Sequence, residues 1–419
     1  MIKRLLAIVL LFIVFKAEAQ ENVSSPYSYY GIGLTNFKGT VSNRSMGGLS
    51  ILTDSIHVNL QNPASYGRLK LTNFVVGGSH ERVTLKTDDA SDNAKISSLD
   101  YLALAMPLGK GFGVGFGVIP YTSVGYRILD LNNTDGARLS GRGGMNKVFF
   151  SAGYEFSQAL SIGLDAQYNF GNFQNRRTIV EQGLQYGTRD INRSDIKGFN
   201  FNIGANYQKT FENNLQLHVS GTYSPEVDLN SDNFREVSTI LLGSDGSENV
   251  VDSREINVDN STFTNPSKLS LGAGIGKQNK WFIGAEYVAL GTSSYQRSFD
   301  FRNDGGEFED ATQVKLGGYF IPKYDSFTNY FDRVVYRAGF RYEGTGLIVQ
   351  NESIKEFGMS FGLGLPMGLR STDPFSNINL GIELGRRGTT DQGLIQENFL
   401  RLSIGLSLND KWFTKRKFY

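Results

Sequence analysis

His57, His80 and His218 are the only histidines of the 419-residue chain, and there is no cysteine. A nucleophilic hydrolase would need one of these imidazoles beside a serine and an acid. Ser79 precedes His80 and Glu81 follows it. Neighbours along a strand point to opposite faces, however, so this adjacency builds no proton relay. His57 falls in an irregular N-terminal stretch and His218 on the polar face of a strand, again without a serine partner. The absence of cysteine excludes disulfides and thiolate metal sites. The glycines of "GFGVGFG" at 111–117 open no helix and so form no phosphate loop. "DLNNTDG" misses the EF-hand spacing because Thr134 and Asp135 take its fifth and sixth places. "RNDGGEFED" at 302–310 reads as an acidic surface turn. These patterns predict no catalytic residue, no metal site, no cofactor and no enzyme.

The ionisable residues that remain follow a different pattern. Glu155, Asp165, Asn202, His218, Glu286, Arg337, Arg341, Glu343, Glu383 and Arg401 share the polar faces of segments whose other face is apolar. In "FLRLSIGLSLN", Leu400, Leu402, Ile404, Leu406 and Leu408 oppose Arg401, Ser403, Gly405 and Ser407. Side chains alternate across a strand, so one face of this segment is wholly apolar. Charged groups enclosed on the other face must pair, because a lone buried charge is very unfavourable. The expectation is an internal lattice of ion pairs.

The same alternation recurs in fourteen segments, centred near 75, 103, 117, 151, 165, 203, 219, 272, 284, 317, 338, 361, 381 and 403. Each is long enough for a tilted strand to cross a hydrocarbon layer. The links after strands 2, 4, 6 and 8 are short: "PLGKG", "EFSQAL", "KTFENN" and "GKQNK". Those after odd strands read as mostly long and polar, among them "LDLNNTDGARLSGRGG", "NRRTIVEQGLQYGTRDINRS" and the stretch 225–267. Alternating short and long links around an even strand number mark an outer-membrane barrel; a soluble sandwich has no reason to place its long loops on one side. The fold class is therefore all-β, a transmembrane antiparallel β-barrel whose apolar faces meet lipid. In strand 3, "IPYTSVGY" interrupts the alternation. Pro120 lacks a ladder donor and Gly125 tolerates a bulge, which predicts a local kink.

Composition agrees with this class. The chain carries 49 glycines, 30 phenylalanines and 20 tyrosines with a net charge of +1, which gives no reason to expect nucleic acid as a partner. Lys3 and Arg4, the apolar run Leu5–Phe15 and the small residues Ala17 and Ala19 form a secretory signal peptide over 1–19. The expected divisions are 20–68 as an irregular N-terminal segment, 69–410 as the barrel, and 411–419 as a basic, aromatic periplasmic tail. Trp412 and Phe413 in that tail suit an interfacial girdle. Both termini are expected in the periplasm of a Gram-negative cell.

"SPYSYYGIG" at 25–33, "SMGGLSILTDSIHVNLQNPASY" at 45–66, "EFGMSFGLGLPM" at 356–367 and the terminal "LSLNDKWFTKRKFY" resemble the FadL/TodX (OMPP1) superfamily of outer-membrane proteins, in the form found in Bacteroidota. The resemblance implies that the N-terminal segment folds inside the barrel as a hatch, with Met46, Gly47, Gly48, Asn62, Pro63 and Ala64 as a structural motif. It implies passive uptake of hydrophobic small molecules of the long-chain fatty acid or aromatic hydrocarbon class, released through a lateral opening at the kink in strand 3. The expected partners are outer-membrane lipid and such a ligand, on a monomeric barrel. The alternative implied by the same family is a non-transporting accessory barrel of a type 9-like secretion translocon, which binds protein partners. The only candidate for a hydrophobic capture hairpin is "VSTILLG" at 237–243.

Overall fold

The computed structural model describes residues 25–130, 137–181, 183–243, 247–297, 306–367 and 376–412. The signal-peptide region therefore lies outside the described residues, as do "LNNTDG" at 131–136 and the tail from Phe413. Among the described residues no helix is long and apolar enough to cross a membrane, and strands do the crossing.

Fourteen strands close into one antiparallel wall. They are β1 (Thr72–Lys86), β2 (Ser91–Gly109), β3 (Phe112–Asp130), β4 (Ala137–Glu155), β5 (Leu160–Ile179), β6 (Gly187–Thr210) and β7 (Leu215–Ser224). The second half comprises β8 (Lys268–Lys277), β9 (Trp281–Leu290), β10 (Ala311–Phe320), β11 (Val335–Val349), β12 (Glu352–Pro366), β13 (Asn377–Arg387) and β14 (Gln396–Asp410). Closure is complete, since β14 pairs with β1 from Gln396 opposite Lys86 to Asp410 opposite Thr72. Leu402 and Ile404 are exposed on the outside of β14, while Ser403, Ser407 and Asn409 are buried within. An apolar exterior over a polar interior is the reverse of a soluble barrel and suits a lipid surround.

The outer links differ from the sequence reading. Most of "LDLNNTDGARLSGRGG" and "NRRTIVEQGLQYGTRDINRS" is strand, because β3 to β6 run on well past the apolar band. β11 and β12 turn at Gln350 and Asn351, both in the left-handed region at φ 51° and 65°. The 225–267 stretch holds three strands, Val227–Leu242, Glu248–Ile256 and Ser261–Asn265. The first of these pairs with β6 from Gly187 opposite Ile240 to Lys197 opposite Asn230, so it raises the wall above β7. "VSTILLG" thus forms part of that raised wall, with Ile240 buried. Above the bilayer both faces of a strand meet water, apolar alternation ceases, and a hydrogen-bonded strand reads as a polar loop.

One seam of the wall is incomplete. β2 and β3 pair only from Gly109 opposite Phe112 up to Leu102 opposite Val118. Above that level Ser91–Leu99 continues on β1 alone, and β3 continues on β4. Just there, Tyr121 is the extra residue between the pairs Pro120–Asn146 and Thr122–Met145, a β-bulge. The bulge inverts the faces of β3: Phe116 and Val118 point out below it, Arg127 and Leu129 above it. An open strand edge beside lipid is strongly disfavoured. Here part of it is covered from inside, as Leu34 and Thr35 pair with Ser123 and Thr122, and Asn36 N–H donates to the Tyr121 carbonyl at 3.0 Å.

Candidate functional site

Residues 25–71 fill the lumen, and most are buried. Their turns are built from local signals. Thr40 caps the one-turn helix Val41–Arg44 by accepting from Asn43 N–H. Gly47 and Gly48 then reverse the chain at φ 72° and 83°, a conformation that favours glycine. Asn62 Oδ1 accepts from Ala64 N–H at 3.0 Å, and Pro63 opens the 3₁₀ turn Pro63–Arg68, where its missing N–H is no loss. Asn62 Nδ2 also donates to the Ala205 carbonyl of β6 at 3.4 Å. Asp54 takes the N–H groups of Ile56 and His57 at 2.9 and 2.7 Å and meets His57 Nδ1 at 2.6 Å. Burial pushes this carboxyl up, but the His57 charge and these bonds outweigh it and hold it below the usual aspartate value.

The segment approaches the wall at glycines. A Cβ on Gly204 would lie 2.2 Å from Asn62 Oδ1, and one on Gly113 would lie 2.0 Å from the Tyr66 carbonyl oxygen. Gly113 and Gly115 of β3, Gly153 of β4, Gly163 of β5 and Gly204 of β6 leave the space into which "NPASY" fits. Replacing Asn62 with alanine is expected to remove the cap and cost about 1 kcal/mol of stability. Thermal unfolding of Asn62→Ala beside Asn62→Asp, which keeps the acceptor, checks this.

The inward charges form separate groups. On one side Arg341 reaches Glu356 at 2.5 Å and Glu383 at 2.8 Å, with Glu343 at 3.8 Å. Arg387 links Glu356 at 2.6 Å to Glu397 at 2.7 Å. Lys38 of the lumenal segment joins Glu356 and, at 3.5 Å, Glu343, while Ser25 bonds Glu397. Nearby, Arg44 of the segment pairs with Asp100 at 2.9 Å, and Arg401 pairs with Glu81. Across the lumen Glu286 accepts from Ser50 N–H at 2.6 Å, Ser50 Oγ at 2.8 Å and Lys315 Nζ at 2.9 Å. Apart from the Arg401–Glu81 pair, a segment residue completes each of these clusters on the wall.

Other expected lattice members stand apart from these ion pairs. Arg337 donates to Asn379 Oδ1 at 2.9 Å. Asp165 accepts from Ser151 at 3.0 Å and also from Gln167. His218 sets its ring edge-on against Phe282 at 5.4 Å, and Asn202 donates to the Gln61 carbonyl at 3.4 Å. Glu155 lies at the lower end of β4, where its N–H donates to the Gly111 carbonyl at 2.7 Å. His80 is exposed and bonds Ser97 Oγ at 2.9 Å, and Trp412 is exposed beyond β14. Gly125 is not the bulged residue: its carbonyl accepts from Ser25 N–H at 2.9 Å and its N–H donates to Ser28 Oγ at 3.1 Å.

Sequence reasoning missed Lys38, Arg44, Lys315, Glu356, Arg387 and Glu397. Period-two alternation reaches four of them, since Lys315 is in phase with Gly317, Glu356 with Gly358 and Ser360, Arg387 with Glu383, and Glu397 with Arg401. Lys38 and Arg44 lie in the irregular segment and carry no such signal.

Above the segment a cavity of about 190 Å³ opens beside the incomplete seam. Tyr30, Ile32, Phe37, Leu60, Ile119 and Leu290 are among its apolar lining residues. Lys38, Lys147, Lys268, Lys315 and Arg341 line it too, as do Glu343 and Glu356.

A family model described as BamG matches residues 1–419. Among solved structures, the toluene transporter TodX of Pseudomonas putida is 16% identical with a TM-score of 0.59, covering 90% of this chain and 100% of that one. A FadL homologue of Pseudomonas aeruginosa is 12% identical with a TM-score of 0.55, covering 90% and 98%. At these identities the likeness is one of fold. No curated protein matches the sequence.

Proposed function

The chain belongs to the BamG family and has the FadL/TodX-type outer-membrane barrel, and from that premise we propose that it carries small hydrophobic molecules passively inward across the outer membrane. One observation supports this above the rest: a part-apolar cavity lies directly beside a seam where β2 and β3 are unpaired. A ligand entering at the cavity would leave through that seam once residues 34–36 withdraw from the β3 edge. The motif Met46, Gly47, Gly48, Asn62, Pro63 and Ala64 then serves as the fixed base of a hatch, and residues 30–37 as its moving part. Pro120 has a defined role in this reading, as it places the bulge that turns β3 away from β2. The solved structures that share its fold include a toluene transporter, which fits a substrate of aromatic hydrocarbon kind.

The test is a disulfide. Thr35 and Thr122 lie directly opposite each other, and the native chain has no cysteine to interfere. Thr35→Cys/Thr122→Cys, oxidised in cells, is expected to reduce uptake of a radiolabelled monoaromatic hydrocarbon at least tenfold, and reduction to restore it. Unchanged uptake in the cross-linked protein would overturn release past β3.

A second reading, an accessory barrel that docks proteins, is favoured by one surface. The link between β10 and β11 is held by Asp332, which bonds Ser326 at 3.1 Å and Asn329 at 3.0 Å, yet it presents Phe327 at 95% exposure. A stoichiometric protein co-purifying with the native barrel, and lost on Phe327→Ser, would move the assignment to this reading.

A further inference from the structure

Lys38, Lys197 and Lys315 have carboxylate partners. Lys147 on β4 and Lys268 on β8 have none, and both line the cavity. Lys147 is only 9% exposed, and its ammonium sits 3.5 Å from the centre of the Tyr121 ring, which lines the cavity beside it. A ring face steers a cation but does not neutralise it. The carboxylates that reach the same space, Glu343 and Glu356, are already engaged by Lys38, Arg341 and Arg387, while Asp165 acts on Lys147, and Glu286 and Glu343 on Lys268, only from beyond ion-pair distance. Elsewhere in this lumen the enclosed cations have carboxylate or amide partners, as burial demands. Two enclosed ammonium groups that face a void are the exception.

The size of the void limits what can complete them. An engineered apolar cavity of about 150 Å³ holds one benzene. At about 190 Å³ this cavity holds one ring with a short arm, and a long alkyl chain exceeds it. Its lining combines the apolar Tyr30, Ile32 and Phe37 with the two ammonium groups.

From this lining we infer that the cavity takes a compact amphipathic anion, an aryl carboxylate, with its ring against the apolar residues and its carboxylate at Lys147 and Lys268. The inference rests on the proposed passage of small apolar molecules and narrows their class to charged, ring-sized ones.

Cinnamate and cinnamamide have the same shape and differ in charge, so they separate the two ideas. Equilibrium dialysis of each against the full-length barrel in lipid nanodiscs is compared with Lys147→Met/Lys268→Met, and thermal unfolding verifies that the variant is folded. Cinnamate is expected to bind the native protein at least tenfold more tightly than cinnamamide, and the double variant to lose that preference while still taking cinnamamide. Should the variant fail to fold, raising salt and adding unlabelled benzoate to the native protein are expected to displace cinnamate and leave cinnamamide in place. Equal binding of the two probes would overturn the anion and leave passage of apolar molecules standing. Tighter binding of hexadecanoate than of cinnamate would overturn the size limit. If neither probe binds, the inference falls, and the Thr35–Thr122 disulfide decides passage independently.

Discussion

Valine in place of Gly339 is expected to undock the lumenal segment from the wall while leaving the barrel closed. A Cβ at Gly339 would lie 2.0 Å from the Gly47 nitrogen and 2.2 Å from the Met46 carbonyl carbon. Gly317 on β10 meets the same turn, with its Cβ position 2.3 Å from the Met46 carbonyl oxygen. Overpacking against movable side chains typically costs about 1–3 kcal/mol. The obstacle here is backbone on both sides, so the effect should reach the top of that range and appear as displacement of Met46 and Gly47. Limited proteolysis checks it: Gly339→Val should be cut between residues 25 and 70 at a protease level that leaves the native protein intact. Heat-modified gel mobility should still report a folded barrel. Gly344→Val is the control, because its Cβ would meet Thr312 Oγ1 at an ordinary 3.6 Å. Equal protection of Gly339→Val and the native chain would show that the segment is not seated as described.

Removal of the Glu356 carboxylate is the second large effect. That group holds Lys38 of the segment, Arg341 of β11 and Arg387 of β13 at once. Deleting one member of a buried ion network typically costs about 3–5 kcal/mol, because its partners are left enclosed and uncompensated. Glu356→Ala should lose about that much stability, and Glu356→Gln less, since the amide still accepts one hydrogen bond. Lys38→Met should lose less than either, because Arg341 and Arg387 continue to satisfy Glu356. Guanidinium unfolding followed by the emission of Trp281 and Trp412 would rank the three variants. An order with Lys38→Met worst would mean that the segment, and not the wall, organises the cluster.

The wall was legible in the sequence because lipid enforces a simple rule. Leu402 against Ser403, or Phe361 against Gly362, states the inside and outside of a strand residue by residue, and all fourteen segments show it. The rule fails where lipid ends. Residues 187–197 form strand in water, their polar side chains face both ways, and they read as loop. Glu356, Arg387 and Glu397 keep the inward phase of their strands but lie towards the strand ends, where few outward apolar residues mark the face. The segment's own contacts were illegible for a different reason. Arg44 meets Asp100, and Ser50 meets Glu286, through a path with no repeating geometry. Only the wall glycines hinted at it, by leaving room. Pro120 stands next to Tyr121, the extra residue of the bulge in β3. That β2 would part from it at Leu102 had no local signal in "SSLDYLALAM".

The partners of the lumenal segment also set the order in which the molecule can be assembled. Met46 and Gly47 rest on Gly317 and Gly339, Lys38 on Glu356, and Ser25 on Glu397, so the first residues to be made wait for the last. Contacts this distant in sequence form late, after the chain between them has been ordered. The part of the segment around Ser25, Lys38 and Met46 therefore seats late, whereas "NPASY", which meets β3 and β6, has its partners earlier. Until that late part seats, the lumen is a water-filled bore without a complete stopper. A chain trapped one step short of completion would be a leak across its membrane, and seating residues 25–71 is the event that ends it.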